Sequence, residues 1–304
     1  MRLEEAHRLL DDSAAAGCQI LTPADADFPA LLRSIPDPPP LLFARGCVEL
    51  ANAEAVAIVG SRDHTRYGGE VAERLGTLAA EAGLVVVSGM ARGLDAVAQR
   101  AALKAGGRSI GVLGTGIDIV YPAANRELYQ LIARDGLLLS EYPPGTQPQP
   151  GSFPRRNRLI SGLARALVVV EAADGSGTLI TVGSALEQGR EVLAVPGPIT
   201  SATSRGTNRL LRDGATPILE PADMLAALGW RSSPATEQPV ALPCTLSATE
   251  ARVFAALTSD GQTVDEVAVL AGLPVGELLA ALLGLELGGL AQQLPGALYR
   301  RQRG

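Results

Sequence analysis

From residue 54 onward, short apolar runs alternate with longer amphipathic stretches along the chain. The apolar runs, which predict strands, are Ala55–Gly60, Leu84–Gly89, Ser109–Gly114, Leu137–Ser140, Ala166–Glu171 and Val192–Pro196. The stretches between them, which predict helices, include Gly69–Glu81, Asp95–Ala105 and Leu179–Gln188. Continuous apolar strands that alternate with helices are typical of a parallel sheet covered on both faces. We therefore predict a doubly wound, mostly parallel α/β domain over residues 51–230.

The two ends of the chain have different patterns. Residues 1–50 contain the proline-rich stretch IPDPPPLLFARG and predict a lead-in arm that is too short to hold a core of its own. Residues 231–241, RSSPATEQPVA, have the composition of a linker. Residues 242–304 predict three helices and then two short strands around Pro295-Gly296. This order of elements predicts a small winged-helix domain.

Composition narrows the classes of function. The chain has 304 residues, of which 26 are Lys or Arg and 32 are Asp or Glu, so its net charge is −6. Any basic surface must therefore be local. The three cysteines form no CxxC pair, and neither a disulfide nor a zinc site is predicted. The sequence shows no signal peptide and no apolar run long enough to cross a bilayer, so we expect a cytoplasmic protein without a membrane span.

Glycine-rich loops follow four of the predicted strands. Because the carboxyl ends of parallel strands meet at one edge of a sheet, these loops should gather where ligands bind. Their glycines and the helix N-termini behind them favour anions. None of the loops matches GxGxxG or GxxxxGK[ST], so no dinucleotide or nucleotide cofactor is predicted. The alternative is that these loops are only tight turns between strands and helices and bind no anion. The residues predicted to lie against phosphate are Gly60, Ser61, Gly89, Gly114, Gly175, Ser176, Gly177 and Thr178.

The densest cationic stretch is FPRRNR, in which Arg155, Arg156 and Arg158 follow Phe153. A helix that begins at Pro154 would place three cations at its N-terminus, where the helix dipole repels them. A bound polyanion would offset this repulsion, since arginine forks suit phosphate and an aromatic ring can stack on a base. The alternative is that Phe153 staples the helix start and the arginines are solvated.

A parallel sheet would bring further cations to the same edge. Arg62 lies in the loop after the first predicted strand and Arg92 in the loop after the second. Together with the arginines of FPRRNR, they predict one phosphate-binding rim.

No catalytic set is evident. His7 and His64 are the only histidines, and no GxSxG, HExxH or paired-carboxylate spacing occurs. The acids that end or follow predicted strands are Asp95, Asp118, Glu141 and Glu171. Isolated acids at such positions usually cap helices or accept bonds from loop amides. We therefore predict neither an enzyme nor a metal site.

The predicted recognition helix of the winged-helix domain, PVGELLAALLGLEL, has two glutamates and no cation. A helix that enters the major groove needs cationic or amide side chains. This domain is therefore predicted to contact protein rather than read duplex DNA, and a transcription factor is disfavoured.

The ordered motifs VGSR, SGMARGLD, LGTGIDIVYP, FPRRNRLISGL, SGTLIT and SRGTNRLLRDGA resemble those of the DNA-processing protein A family (DprA/Smf). The resemblance extends from about Asp27 to Leu228, and the winged-helix domain is similar as well. It implies a homodimeric extended Rossmann-like protein that binds single-stranded DNA without sequence preference. It also implies a recombination mediator that protects incoming DNA in natural transformation and loads RecA.

The resemblance also assigns roles to residues. Arg62 would hold a phosphate, Phe153 would touch a base, and Arg155, Asn157 and Arg158 would line the pocket. The self-association and RecA region would include Asn208, Leu210, Leu211 and Arg212.

The sequence departs from the family pattern at three places. Gln147-Pro-Gln-Pro150 stands where many relatives have a lysine, and Gln99 stands where relatives often have histidine. Only about 20 residues precede the lead-in, so no contribution is expected from the helical module that many relatives carry there.

A related sheet in nucleoside monophosphate phosphoribohydrolases uses a PGGxGT loop followed by a glutamate. The local analogue is DGSGTLITVGSALE with Glu187, which lacks the Pro-Gly-Gly start. A nucleotide-processing enzyme of that type is the alternative function.

Overall fold

The computed structural model of the protein describes residues 3–230, 247–258, 261–287, 290–294 and 298–301. The chain divides into two compact units, Met1–Ser232 and Ser233–Gly304. The predicted linker at 231–241 and the predicted turn at Pro295-Gly296 lie outside the described residues.

The first unit is built on a single sheet, which has nine strands within residues 3–230. They are β1 (Gln19–Leu21), β2 (Leu42–Gly46), β3 (Ala55–Val59), β4 (Val85–Ser88), β5 (Ser109–Leu113), β6 (Leu137–Ser140), β7 (Ala166–Val169), β8 (Glu191–Ala194) and β9 (Thr216–Pro217). Their order across the sheet is β1-β2-β6-β5-β4-β3-β7-β8-β9. All pairs from β6 to β9 are parallel, whereas β2 pairs antiparallel with β6 and β1 antiparallel with β2. The predicted mostly parallel sheet is confirmed.

Helices cover both faces of this sheet. They are α1 (Leu3–Ala15), α2 (Ala30–Arg33), α3 (Arg66–Glu81), α4 (Leu94–Lys104), α5 (Arg126–Asp135), α6 (Ser152–Gly162), α7 (Thr178–Glu187), α8 (Arg205–Arg212) and α9 (Ala222–Ala227). Side chains alternate between the faces along a strand. Val56 of β3 accordingly packs in one core with α3, α4 and α9, whereas Ala57 packs in the opposite core with α2, α6 and α7. Fully burying each Val, Leu or Ile of these cores stabilises the fold by about 1.5–3 kcal/mol.

The lead-in segment is part of the first unit. Its strands β1 and β2 extend the sheet, and Phe28 and Leu32 are fully buried in the core that includes Leu159 of α6. A side chain at Gly162 of α6 would come within 2.6 Å of Leu32 Cδ2, so glycine allows the close approach of α6 and the lead-in. The sequence did not predict β1, β2 or the two-residue β9, because such short runs carry little periodicity.

The second unit has the order helix, strand, helix, helix, hairpin, which is that of a winged helix. Its elements are α10 (Ala248–Ala256), β10 (Gln262–Thr263), α11 (Val264–Ala271), α12 (Val275–Leu287), β11 (Ala291–Leu294) and β12 (Leu298–Arg301). Two capping boxes begin α10 and α11, at Ser247 with Glu250 and at Thr263 with Glu266. Among the described residues no single helix is long and apolar enough to span a membrane; the bent pair Val264–Ala271 and Val275–Glu286 passes that test together, by length and composition only.

Candidate nucleic-acid interface

A large cleft in the first unit lies where the order of the sheet reverses. The chain runs from β3 outward through β4, β5 and β6 on one side, and then returns to β7 on the other side of β3. In an open α/β sheet the crevice at the carboxyl ends of two such strands is the usual ligand site. Here it is a pocket of about 750 Å³, lined by the loops after β3 and β7 and by the start of α6.

Six of the eight residues predicted to lie against phosphate line this pocket, namely Gly60, Ser61, Gly175, Ser176, Gly177 and Thr178. The two loops are tied together, because Thr178 Oγ1 donates to the carbonyl of Gly60 at 3.2 Å. A Cβ at position 60 would lie 2.5 Å from Leu94 Cδ1, so only glycine fits there.

Gly89 and Gly114 have packing roles instead. A Cβ at position 89 would collide with Arg156 and Asp95, and a Cβ at position 114 would lie 2.7 Å from Phe153 Cδ1. Neither glycine is among the pocket-lining residues, and a contact of either with phosphate stays a prediction.

The N-termini of α6 and α7 both open into the pocket. Neither helix has a side-chain bond from its N-cap residue or an acidic residue in its first turn, although Ser176 Oγ accepts from the amide of Thr178 at 3.2 Å at the start of α7. The positive ends of the two helix dipoles are therefore not offset from within their own helices, which favours an anion in the pocket.

Arg156 explains part of the cation density at the start of α6. Its side chain is buried, and Nη1 donates to the carbonyls of Gly89, at 2.8 Å, and of Val112. These carbonyls lie at the ends of β4 and β5, so the guanidinium joins α6 to the edge of the sheet. Burial lowers the pKa of Arg156 to about 10, while the charge of Asp95 acts to raise it and that of Arg62 to lower it. Arg156 therefore stays cationic at neutral pH, and the charges of Arg62 and Arg156 lie close enough to interact.

Arg158 turns away from the pocket. Its Nη2 lies 2.7 Å and its Nη1 3.0 Å from the two carboxylate oxygens of Glu141, and its Nε lies 2.8 Å from Asp37 Oδ2. The side chain is 11% exposed and does not line the pocket. The donors of Arg158 are occupied by two carboxylates, whereas Arg156 uses Nη1 for two carbonyls and still lines the pocket. A contact of either residue with DNA stays a prediction. The alternative that the arginines of FPRRNR are solvated is wrong for these two, because both are buried.

Three predicted cations remain exposed at this edge. Arg155 has a 63% exposed side chain, and its Nε lies 3.9 Å from Glu141 Oε2. Arg62 is exposed and lines the pocket, and Arg92 is exposed in the loop after β4.

The pocket wall itself is not strongly basic. It contains two arginines, Arg62 and Arg156, and three aspartates, Asp63, Asp95 and Asp174. Burial raises the pKa of Asp95, although Arg156 acts to lower it. The exposed cations at this edge are Arg62, Arg92 and Arg155, of which Arg62 lines the pocket beside the two helix N-termini, and the predicted phosphate-binding rim stays a prediction.

Two aromatic rings lie beside these groups. Phe153 is half-buried against Gly114, and its ring centroid lies 5.3 Å from that of Tyr121, with 34° between the planes. Both residues line the pocket. Since α6 begins at Ser152, Phe153 belongs to the first turn of the helix, and the prediction of a helix start at Pro154 is off by two residues. Asn157 also lines the pocket, with Nδ2 3.4 Å from the carbonyl of Gly177.

The position of Tyr121 at the pocket was not predicted from the sequence. Its one signal was that an aromatic residue follows the LGTGIDIV loop, which leads away from a strand end toward the same edge. The ring was not connected to Phe153 because 32 positions separate the two residues in the chain.

The strand-end acids have structural roles, as predicted. Asp95 accepts from the amide of Gly89 at 3.0 Å, and Asp118 accepts from the amide of Gly145 at 2.7 Å. Glu171 is buried and accepts from both the amide and the hydroxyl of Thr65. Within the described part of the chain no group of His, Cys, Asp or Glu side chains could hold a metal ion.

Comparison with known proteins identifies the family. The family model described as DNA recombination-mediator protein A matches residues 19–229, and the one described as DprA winged helix domain matches residues 236–297. The chain belongs to the DNA recombination-mediator protein A family. The predicted family and fold class, an α/β sheet with a winged-helix domain, are thereby confirmed.

Several relatives cover most of the chain. Protein Smf of Escherichia coli (strain K12) is 40% identical over 301 residues, which are 93% of this chain and 78% of the relative. DNA processing protein DprA of Streptococcus pneumoniae is 45% identical over 202 residues, covering 66% of this chain and 71% of the relative.

Two solved structures of the family have the same fold. The X-ray structure of DprA from Streptococcus pneumoniae has a TM-score of 0.69 at 42% identity, covering 73% of this chain and 77% of that one. DNA processing protein A from Helicobacter pylori has a TM-score of 0.64 at 32% identity, covering 70% of this chain and 97% of that one. The Helicobacter pylori structure is described as giving insight into a single-stranded DNA binding mode.

Of the departures from the family pattern, one lies at the pocket and another lies in the core. Pro148, Gln149 and Pro150 line the pocket, so the segment that lacks the lysine is at the site. Gln99 is buried under the sheet, where Nε2 donates to Ser109 Oγ at 3.0 Å and to the carbonyl of Ile110 at 3.1 Å. That departure concerns the core and not the pocket.

Glu187, the residue on which an enzyme of the phosphoribohydrolase type would depend, is not at the pocket. It is the last residue of α7, whose first residue, Thr178, lines the pocket. Nine residues of α-helix separate the two by about 13 Å.

The residues predicted for self-association lie on α8 and are mostly packed. Asn208 exchanges two hydrogen bonds with the backbone of Gly197, and Leu210 packs against the core. Leu211 is half-buried, whereas Arg212 is exposed, with Nε 3.5 Å from Asp213 Oδ1.

Proposed function

We propose that the protein binds single-stranded DNA at the pocket between β3 and β7. The observation that carries this proposal is the combination of the Phe153–Tyr121 ring pair with Arg62 and two helix N-termini that lack acidic residues, all in one open crevice. Stacking of a base on an aromatic ring contributes about 1–3 kcal/mol and tolerates any base. Bases inside a duplex are not available for such stacking, so the site should prefer a single strand. The description of the Helicobacter pylori relative supports the same ligand.

Binding should not depend on sequence. The cations and amide groups of the pocket suit phosphate, and base-edge recognition needs arrays of donors and acceptors matched to one base. The affinity for homopolymers of different bases should therefore differ little.

The direct test compares single-stranded with duplex DNA of the same sequence in a titration at several salt concentrations. We expect tighter binding of the single strand, with a slope of log affinity against log salt of about −0.7 per neutralised phosphate. Equal affinity for duplex, or binding that does not respond to salt, would count against the proposal.

We further propose that the protein acts as a recombination mediator that protects incoming strands and loads RecA during natural transformation. The family description supports this role. The test is RecA filament assembly on DNA coated with single-strand-binding protein, with and without this protein. A cytoplasmic location is part of the same proposal. The proposal includes no catalytic step, and release of free base from any of a panel of nucleotides would contradict that.

A homodimer is the proposed active form. Ile199 and Leu219 are apolar and 90% and 77% exposed, and they follow the neighbouring strands β8 and β9 at one end of the sheet. Sedimentation velocity should show a dimer that Ile199→Asp with Leu219→Asp dissociates. A monomer at every concentration tested would overturn this part.

A further inference from the structure

A second basic surface lies on the helices α4 and α5, away from the pocket between β3 and β7. A cavity of about 390 Å³ at the C-terminal ends of these helices is lined by four cations and one acid. The cations are Arg100, Lys104, Arg108 and Arg134, and the acid is Asp135. Lys104 is the only lysine of the chain. This cavity lies at the amino edge of the sheet, where β5 begins, so it is opposite the edge that carries the pocket.

Three of these cations keep donors for a ligand. Lys104 is exposed and forms no ion pair within the described residues. Arg108 donates from Nη1 to the carbonyl of Asp135 at 2.8 Å, which leaves its other guanidinium nitrogens for a ligand. Arg100 has two long contacts, from Nη1 to Glu127 Oε2 at 3.7 Å and from Nη2 to Asn125 Oδ1 at 3.5 Å, and the Glu127 carboxylate is itself 79% exposed. Arg134, in contrast, is held by three hydrogen bonds to Asp135 and is not available.

The helix dipole does not account for this cluster. Cations in the last turn of a helix are favoured, and Lys104 and Arg134 occupy such positions. Arg108 belongs to neither helix, and Arg100 lies one turn further inside α4, so another reason is needed for them.

These cations continue a line that begins at the pocket edge. Each of α4 and α5 connects two parallel strands, so both helices begin at the carboxyl edge and end at the amino edge. Arg92 precedes α4 and Arg126 begins α5, and both are exposed. The 11 residues of α4 then span about 16 Å to Lys104. We name this line, formed by Arg92, Arg126, Arg100, Lys104 and Arg108, the α4–α5 track.

The neighbouring helix on the other side of α4 offers less positive charge. The exposed positions of α3 include Glu70, Glu73 and Glu81 as well as Arg66 and Arg74, and Arg66 is paired with Glu70 at 2.8 Å. The net charge of these five side chains is −1, so the α5 side is the more favourable one for a polyanion.

We propose that the α4–α5 track holds the continuation of the same DNA strand that enters the pocket between β3 and β7. This inference rests on the proposed function and adds a second contact region to it. Interfaces between proteins are depleted in lysine and have an apolar centre, whereas the track offers arginine and lysine to solvent. The contacts are to phosphates alone, so they add affinity for long strands without adding sequence preference.

The test uses two thymidine oligomers, one of about 6 and one of about 30 nucleotides, since single-strand sites span about 4–16 nucleotides. The variant is Lys104→Gln with Arg108→Gln. Its matched control is Arg74→Gln with Arg165→Gln, which removes the same charge from two exposed positions off the track. Circular dichroism and melting temperature verify that both variants fold.

We expect the track variant to bind the short oligomer as the parent protein does and to bind the long oligomer more weakly. For the long oligomer, the slope of log affinity against log salt should become shallower by about 1.4, from the loss of two phosphate contacts. The control should leave that slope unchanged. An unchanged slope in the track variant, or an equal loss for both oligomers, overturns the track. Failure of the proposed function looks different, because the parent protein would then bind neither oligomer.

Discussion

The arginines of the FPRRNR segment of α6 differ from Arg62, in the loop after β3, in how much of their charge is available to a ligand. Arg156 and Arg158, inside the helix, are buried and held by Gly89, Val112, Asp37 and Glu141. Arg155, one position earlier, is exposed. Arg62, an isolated cation in the sequence, is exposed and lines the pocket. The density of cations along the sequence therefore marks a place where the fold is cross-linked, and the cations available to a ligand are scattered.

This contrast predicts that inner arginines control stability and outer ones control binding, and the largest effect belongs to Arg156. We expect Arg156→Ala to lower the free energy of unfolding by about 3–5 kcal/mol, because Asp95 and two strand-end carbonyls lose a buried cation. Urea denaturation measures this, with Arg62→Ala as the matched control at an exposed position. A loss below about 1 kcal/mol would show that the buried guanidinium is dispensable.

Arg158→Ala should have the next largest effect on stability. We expect a loss of about 2–3 kcal/mol in the free energy of unfolding, since Glu141 would remain buried without its bidentate partner. The loss is smaller than for Arg156 because Asp37 is largely exposed and water replaces its partner. A double-mutant cycle with Glu141→Gln measures the coupling between the two side chains. Additive losses would contradict the pairing seen in the structure.

The inner and outer arginines also mark the limit of what the sequence could predict. The strand and helix order from Ala55 to Ala194 follows from local apolar periodicity, which a sequence carries within each element. The partners of Arg156 lie 67 and 44 positions away, and those of Arg158 lie 121 positions away at Asp37 and 17 positions away at Glu141. No local pattern reports contacts at such separations, so burial of these cations could not be foreseen.

The location of the pocket, in contrast, was predictable from the sequence because it depends on the topology of the sheet and not on individual long-range contacts. A parallel sheet brings all its strand-end loops to one edge, whatever their separation in the chain. The loops after β3 and β7 therefore meet as expected, with Gly60 and Ser176 on the same wall. Which side chains of those loops point into the crevice depends on packing. For that reason the sequence predicted neither the place of Tyr121 in the pocket wall nor the burial of Arg158.

Among the residues expected to control binding, Phe153 should have the largest effect on the affinity for single-stranded DNA. We expect Phe153→Leu to weaken single-strand binding by about 1–3 kcal/mol, because a base loses its stacking surface while the apolar contact with Gly114 is kept. Fluorescence anisotropy with labelled oligomers measures the affinity. Tyr121→Leu serves as the paired variant and should weaken binding as well. If both variants bind as the parent protein does, the ring pair is not the stacking platform.

Arg62→Gln should have a smaller effect on binding and almost none on stability. The slope of log affinity against log salt should become shallower by about 0.7, the value for one phosphate contact with a single strand. The melting temperature should stay within the error of the measurement, because the side chain is exposed. Arg74→Gln on α3 is the control for a cation outside the pocket. A lowered melting temperature for Arg62→Gln would place this residue with the inner arginines.

The smallest effect is expected for Arg155→Gln, and it depends on its neighbour. In the parent protein Glu141 is already paired with Arg158, and the Nε of Arg155 lies 3.9 Å away, so its removal should change the free energy of unfolding by less than about 0.5 kcal/mol. In an Arg158→Ala background, Arg155 becomes the nearest cation to the same buried carboxylate. The identical substitution should then cost more than it does in the parent protein, and urea denaturation of the four proteins measures the difference. Equal losses in both backgrounds would mean that Arg155 does not respond to Glu141, and that it belongs wholly to the outer, ligand-facing set.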